Sequence, residues 1–313
     1  MLRIEIEMLA LAIPWLLIVL LLVNIVLLTK KRWCWSLLVF VCIIVLNRRF
    51  ECVPLRLWNS TEPQSEWSLR VVSFNIDGTN GELHDKAEKI RNLLHECSPN
   101  IIFIAEFVEL HPAYLDSVLR EEFAYTTYAN RFYSHYFYGT TPLFNISRLE
   151  GKDGKKIGVY TCSTIVDGDT IDIYGCHFAS NNYDKKENSF SIDEVNNYEG
   201  IKDYLSNIGS SCNRRANEAE ALVKAISMTH HPVILMGDLN DVCGSRPLRV
   251  LDSAGLSDVW WEKGIGYGAT IHHPLPFRID HIMHTEDLKV KDVKAIASDG
   301  ISDHEALYAE FEF

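Results

Sequence analysis

The apolar and polar positions divide this chain in two. Met8–Thr29 is a run of 22 residues without a charge, and Trp33–Leu46 is a second apolar run of 14. Lys30, Lys31 and Arg32 lie between them, and Arg48 and Arg49 follow the second. From about residue 68 the pattern becomes short segments. Leu69–Ile76 and Asn100–Ala105 predict buried strands, and Val233–Met236 is a third short apolar run before Gly237. Leu83–Cys97 carries Leu83, Ala87, Ile90, Leu93 and Leu94 at helical spacing and stops before Pro99. Pro112–Arg120 predicts a short helix, and aromatic-rich Phe123–Tyr138 predicts strands with a surface loop. Ile157–Val166 and Thr170–Phe178 read as a hairpin across Asp167-Gly168-Asp169. Polar Ser180–Asn197 reads as a loop, and Cys212–Thr229 as an amphipathic helix with Ala216, Ala219, Leu222, Val223 and Ile226 on one side. Periodicity by itself gives an α/β domain.

The first run is long enough to cross a bilayer. A cleavable signal peptide is the rival reading. It is disfavoured by the length of the run, by the mixed charges Arg3, Glu5 and Glu7, and by the lack of a small-residue cleavage site. The expected organisation is therefore a transmembrane hairpin over residues 1–50 (helices 8–29 and 33–46), a linker over 51–67, and one soluble domain over 68–313. By the positive-inside rule, Lys30-Lys31-Arg32 would face the cytoplasm and leave the domain outside it; Arg48, Arg49 and Arg56 pull the opposite way with nearly equal weight.

Charge narrows the partners. The chain carries −12; residues 1–51 hold six Lys/Arg and three Asp/Glu, net +3, which leaves −15 for residues 52–313. So acidic a body is a poor match for a polyanionic duplex and favours a small phosphoester or a lipid headgroup. Eight cysteines show no zinc-ligand spacing; Cys162 and Cys176 read as small buried hydrophobes. No protein partner is predicted.

Several apolar segments end in acids, amides or imidazoles: Ser73-Phe-Asn75, Ile104-Ala-Glu106, Gly175-Cys-His177, Met236-Gly-Asp238-Leu-Asn240-Asp241 and Ser302-Asp303-His304. A further one, Arg278-Ile-Asp280-His281-Ile282, holds an acid within an apolar strand. Glu106 at a strand mouth suits a hard divalent cation. Asn75 offers an amide to metal or phosphate without adding charge. Asp238 and Asn240, two apart, point the same way on an extended segment, and Asp241 reads as a turn or surface residue. Asp303 and His304 would point to opposite sides. An acid between Ile279 and Ile282 is costly to bury alone, so Asp280 needs a partner, and His304 is expected to be that partner.

In this order the six segments resemble the endonuclease/exonuclease/phosphatase (DNase I-like) superfamily, over roughly Leu69–Phe313. The N-terminal hairpin resembles that of membrane-anchored bacterial members. The resemblance implies a four-layer α/β sandwich of two packed mixed sheets flanked by helices. It implies metal ligation by Asn75, Glu106 and Asp303 with Mg²⁺ or Mn²⁺, water activation by Asp238, phosphate positioning by Asn240, and a His304–Asp280 pair. His177 would donate to a non-bridging oxygen or protonate the leaving group. Position 105 is Ala where the family commonly has Gln, and no carboxylate partner for His177 is evident. His281 and His284 read as structural, Arg214, Arg215 and Arg278 as ordinary surface or helix-end residues, and His272 and His273 as loop residues within reach of substrate.

The expected function is a membrane-anchored, divalent-metal-dependent phosphoesterase outside the cytoplasm. The alternatives are an extracytoplasmic nuclease and a catalytically silent binding protein on the same fold.

Overall fold

The computed structural model describes residues 2–56, 68–76, 83–107, 112–126, 135–180, 198–272 and 275–312. Most of the Ser180–Asn197 loop, and His273, lie outside these residues.

Two six-stranded sheets pack face to face. The first is built from β1 (Ser68–Asn75), β2 (Ile101–Ala105), β3 (Tyr125–Thr126), β4 (Tyr136–Gly139), β11 (Lys289–Ile296) and β12 (Ala306–Glu312), in the order β11-β12-β1-β2-β4-β3. The second holds β5 (Phe144–Glu150), β6 (Lys156–Val166), β7 (Asp169–His177), β8 (Val233–Asp238), β9 (Ser257–Asp258) and β10 (Asp280–His284), in the order β5-β6-β7-β8-β10-β9. Each sheet has one central parallel pair, β1/β2 or β7/β8, with antiparallel pairs on both sides. Parallel neighbours end side by side at their C-terminal mouths, which is where α/β sheets commonly place chemistry.

The two inner faces bury Phe103, Phe137, Cys162, Ile234, Met236 and Leu307 between the sheets. On the outer face of the first sheet, Ile90 and Leu94 of α3 (Leu83–Cys97) and Leu119 of α4 (Pro112–Glu122) pack over Val72, Phe74 and Ile102. On the second, Ala219 and Leu222 of α5 (Tyr198–Ile226) and Leu251 of α6 (Arg246–Asp252) cover Cys176, Val233 and Leu235. A one-turn helix, α7 (Val259–Lys263), is capped by the Asp258 carboxylate, which accepts from Trp260 N at 2.8 Å. The result is the four-layer sandwich that the family resemblance implied. α5 begins well before Cys212, the expected start.

Two apolar helices precede it. α1 covers Leu2–Thr29 and α2 covers Trp33–Phe50, each longer than the runs of pure hydrophobicity. No breaker follows Leu46, so Asn47, Arg48 and Arg49 continue the helix until Glu51 turns left-handed at φ 49°. Asn24 and Ser36 are buried where the helices meet, and the Ser36 hydroxyl donates to Asn24 Oδ1 at 2.6 Å. Spans Ala10–Thr29 and Trp33–Phe50 are long and apolar enough to cross a membrane, with mean hydropathies of 2.9 and 1.6. Their outward side chains, including Leu22, Val26, Trp35, Leu37 and Phe40, are more than half exposed, an apolar belt that water would not favour.

The hairpin is docked on the domain. Ile13 and Leu17 of α1 share a buried cluster with Cys52 and Cys243, flanked by Leu46 and Phe50. Trp15 meets Phe277 edge-on, with ring centroids 6.3 Å apart. The first residues of the stretch read as a linker are therefore not free chain: Cys52 is buried, and the Asn47 amide brackets Val53 with bonds of 2.7 and 2.9 Å.

Candidate active site

Asp238 is the centre of the polar cluster between the sheets. It ends β8, beside His177 at the end of parallel β7 and opposite Asp280 on antiparallel β10. Gly237 permits this crowding. Its φ is +147°, and a Cβ there would lie 1.9 Å from the Cys176 carbonyl oxygen. Asp238 is 2 % exposed. Its carboxylate accepts from Asn240 N at 2.7 Å, Asn240 Nδ2 at 3.2 Å and Asn75 Nδ2 at 3.2 Å. The last bond crosses from one sheet to the other. Burial, and then the charge of Asp280, raise the Asp238 pKa above the ordinary carboxylate value; His304, His177 and the Asn240 N–H act against them.

Asn240 reaches Asp238 through a tight turn and not along an extended segment, with φ +52°. Its amide also donates to the Phe178 carbonyl at 3.0 Å. Glu106 at the mouth of β2 is likewise left-handed, φ +56°. Two non-glycine residues held in this strained region within one site are a common mark of function.

His304 Nδ1 lies 2.8 Å from Asp280 Oδ2, and its Nε2 lies 3.9 Å from Asp238 Oδ2. Burial opposes a charge on this ring, but the charge and hydrogen bond of Asp280, with Asp238 and Asp303, push its pKa up to about 10. Ser302 fixes the approach: its hydroxyl donates to the Asn75 carbonyl at 2.7 Å and accepts from His304 N at 3.0 Å. Asp303 lies at the rim, its side chain 55 % exposed and 4.0 Å from His304 Nε2.

His177 Nε2 lies 3.3 Å from Glu106 Oε1 and 3.9 Å from Asp238 Oδ2. Its Nδ1 lies 2.8 Å from Nε2 of His135. The partner that sequence reading did not find is thus an imidazole. His135 stacks on Tyr160, centroids 4.8 Å apart, and burial, His177 and Arg148 push its pKa well below the ordinary value. A neutral His135 that donates to His177 Nδ1 leaves His177 with an Nε2–H facing Glu106. The usable signal is parity: His135 precedes β4 with the same alternation as inward-facing Phe137. Gly175 leaves room beneath, since a Cβ there would meet the Phe103 ring at 2.3 Å.

Three charged residues depart from the sequence expectation. Asp241 is not a surface turn: it is buried and accepts from Arg215 Nε at 2.8 Å. Arg215 is itself buried and also donates to the Ala179 carbonyl at 3.1 Å, so it ties together the loops after β7 and β8. Arg278 is buried too, 2.7 Å from Asp258 Oδ2, with His281 Nδ1 2.7 Å from the same oxygen. His281 faces away from Asp280 and completes this sealed network; His284 bonds to the Thr285 carbonyl and Glu262. His272 pairs with Glu305 at 3.2 Å.

The donor set suits a divalent cation. Asn75 Nδ2 is 3.3 Å from Glu106 Oε1, and Glu106 remains one-third exposed. Asp238 and Asp280 are paired across β8 and β10, and Asp280 Oδ1 is buried with no hydrogen-bond partner. Asp238, Asp280 and His304 form a tight triad, with ligand atoms within 4.8 Å. Asp280 and His304 spend their facing atoms on each other, whereas Glu106 is one-third exposed beside buried Asn75 and could hold a cation together with it and with Asp303 at the rim.

The family profile described as "Endonuclease/Exonuclease/phosphatase family" matches residues 72–304. No curated protein sequence matches the chain. Among solved structures, a humanized D. rerio TDP2 with 14 mutations superposes with TM-score 0.56 at 15% identity, covering 79% of this chain and 99% of that one. The endonuclease/exonuclease/phosphatase family protein from Leptotrichia buccalis gives 0.55 at 18%, covering 78% and 100%. The human Nocturnin catalytic domain with bound sulfate anion gives 0.56 at 14%, covering 79% and 94%. At such identities these likenesses speak for the fold. The profile spans most of the chain, and the chain belongs to the endonuclease/exonuclease/phosphatase family.

Proposed function

We propose that this chain is a membrane-anchored, divalent-metal-dependent phosphoesterase, with its catalytic domain outside the cytoplasm. The observation that carries the reading is the bond network of Asp238. A buried carboxylate of raised pKa stands among Asn75, Asn240, His177 and His304, with Glu106 beside them. Phosphoester hydrolysis needs a base for water and positive charge for the equatorial oxygens. Asp238 is positioned to hold the attacking water and accept its proton. Asn240 fixes that carboxylate from the adjoining turn. His304, kept charged by Asp280, faces the phosphate oxygens from one side, and the Nε2–H of His177 from the other. Mg²⁺ or Mn²⁺, held by Glu106, Asn75 and Asp303, would supply further neutralisation of phosphate charge. The anchor is the hairpin, whose belt of exposed apolar side chains matches hydrocarbon better than water.

A nuclease is the second reading. Its support is the superposition with D. rerio TDP2 complexed with single strand DNA product, at TM-score 0.54 and 14% identity. The net −15 of residues 52–313 opposes it.

The test is hydrolysis of bis(p-nitrophenyl) phosphate and of plasmid DNA by the full chain in detergent, with Mg²⁺, Mn²⁺ or EDTA. The account predicts diester hydrolysis that EDTA abolishes and either metal restores, and little cutting of DNA. Hydrolysis that is indifferent to chelation would contradict it.

A further inference from the structure

A groove opens where the hairpin meets the domain. It has a volume of about 470 Å³ and is walled by Pro14, Leu17 and Leu21 of α1, Phe40 and Ile44 of α2, and Pro276 of the domain. That size is ordinary for a small-molecule site. A soluble protein would not leave such a wall open to water. The span Ala10–Thr29 is 20 residues, about 30 Å of helix, which matches the hydrocarbon core of a bilayer. Pro14 and Leu17 lie in the half of that span nearer the domain, and Leu21 lies just past its middle. The groove therefore lies at the depth of the acyl chains in the adjoining leaflet, and its lip residues Ile18, Leu21 and Phe40 are half exposed to them.

Two further observations point to a ligand there. Trp15 also lines the groove, and its Nε1 is buried with no hydrogen-bond partner, a donor that costs free energy until an acceptor such as an ester carbonyl meets it. The domain wall is also tied by hydrogen bonds to the residues of the candidate site. Tyr267 and Pro276 line the groove. Between them Thr270 Oγ1 accepts the backbone N–H of Asp280 at 3.1 Å, and Ile271 bridges both Phe277 and His304. The same short loop thus touches the groove, through Trp15 and Phe277, and holds His304 and Asp280.

We infer that the substrate is a membrane phospholipid whose acyl chain occupies this groove while its headgroup phosphodiester reaches Asp238 and His304. The inference rests on the phosphoesterase and membrane-anchor readings above and adds the substrate class. In the reaction the water oxygen bonds to phosphorus, one P–O ester bond breaks, and the departing alcohol oxygen takes up a proton. No oxidant or second substrate is required.

The experiment places the full chain in vesicles of phosphatidylethanolamine, phosphatidylglycerol and phosphatidylcholine with Mn²⁺ and follows phospholipid loss by phosphorus NMR. Bis(p-nitrophenyl) phosphate hydrolysis by the same preparations is the parallel arm. Wild type is expected to consume lipid. Ile44→Trp and Leu21→Trp, which fill the groove, should each slow lipid turnover by about tenfold or more and leave the soluble diester rate within about twofold, a loss confined to substrate binding. The soluble rate also reports folding of both variants. Survival of every vesicle lipid beside active diester hydrolysis overturns the inference alone, as does lipid turnover unchanged in both variants. Loss of both wild-type activities overturns the phosphoesterase reading and this inference with it.

Discussion

His304 and His177 approach Asp238 from different sides, each with Nε2 3.9 Å from the same carboxylate oxygen. Their backing differs. His304 rests on Asp280, a buried acid that holds its ring charged; His177 rests on His135, a half-buried ring that stays neutral. In the proposed mechanism a charged donor and an oriented donor thus face one shared base. A third imidazole, His281, is adjacent to Asp280 in sequence and also has an acid partner, yet Asp258 and Arg278 seal it from the cleft. An Asp–His pair becomes catalytic machinery through access to a cleft, while the pairing itself serves structure equally well.

Each prediction breaks one side of this contrast. Asp238→Asn removes the shared base and should lower metal-dependent diester turnover by about 10²–10⁴-fold with the melting temperature retained. Asp258→Asn breaks the sealed pair. It should cost about 3–5 kcal/mol of stability in denaturant melts while folded molecules keep their turnover. That pair also has a pH signature. Burial opposes ionisation of Asp258, but Arg278 and His281 outweigh it and hold its pKa well below the ordinary 3.8. A depressed carboxyl stabilises above its unfolded value and loses that contribution as pH falls toward the folded one. The stability gap between wild type and Asp258→Asn should therefore be full above pH 5 and shrink on acidification below about 4. On the catalytic side, Asp280→Asn leaves His304 without its counter-charge and should reduce turnover by about 10–100-fold, the usual size for a group that orients a functional side chain. His135→Phe keeps the stack on Tyr160 but frees the His177 ring, and should cost about tenfold, at the low end of the same range.

How much of this was legible in the sequence follows the same contrast. The strands, the helices over 83–97 and 112–120, and the gathering of Asn75, Glu106, His177, Asp238, Asn240 and His304 could be read because each polar residue ends an apolar run. Asp280 announced its need for a partner because it interrupts such a run. His135 gave a weaker sign, its parity with Phe137: it sits in an aromatic stretch, and pairing of β4 with β2 and the packing of the two sheets bring it beneath His177. Arg215, Asp241 and Arg278 looked like surface residues because charge normally stays in water. Partners 26 and 20 residues away are what bury them. The docking of the hairpin was hidden for a related reason, since Ile13 and Leu17 look the same in sequence whether they meet lipid or Cys243.

The central claim is that Asn75, Glu106 and Asp303 of the first sheet hold one hard cation against Asp238 of the second. Calorimetric titration of Mn²⁺ into the full chain in detergent tests it without recourse to activity. The account predicts one tight site in wild type and an affinity loss of about 10–100-fold or more in Glu106→Gln. Equal Mn²⁺ binding by wild type and Glu106→Gln would contradict it.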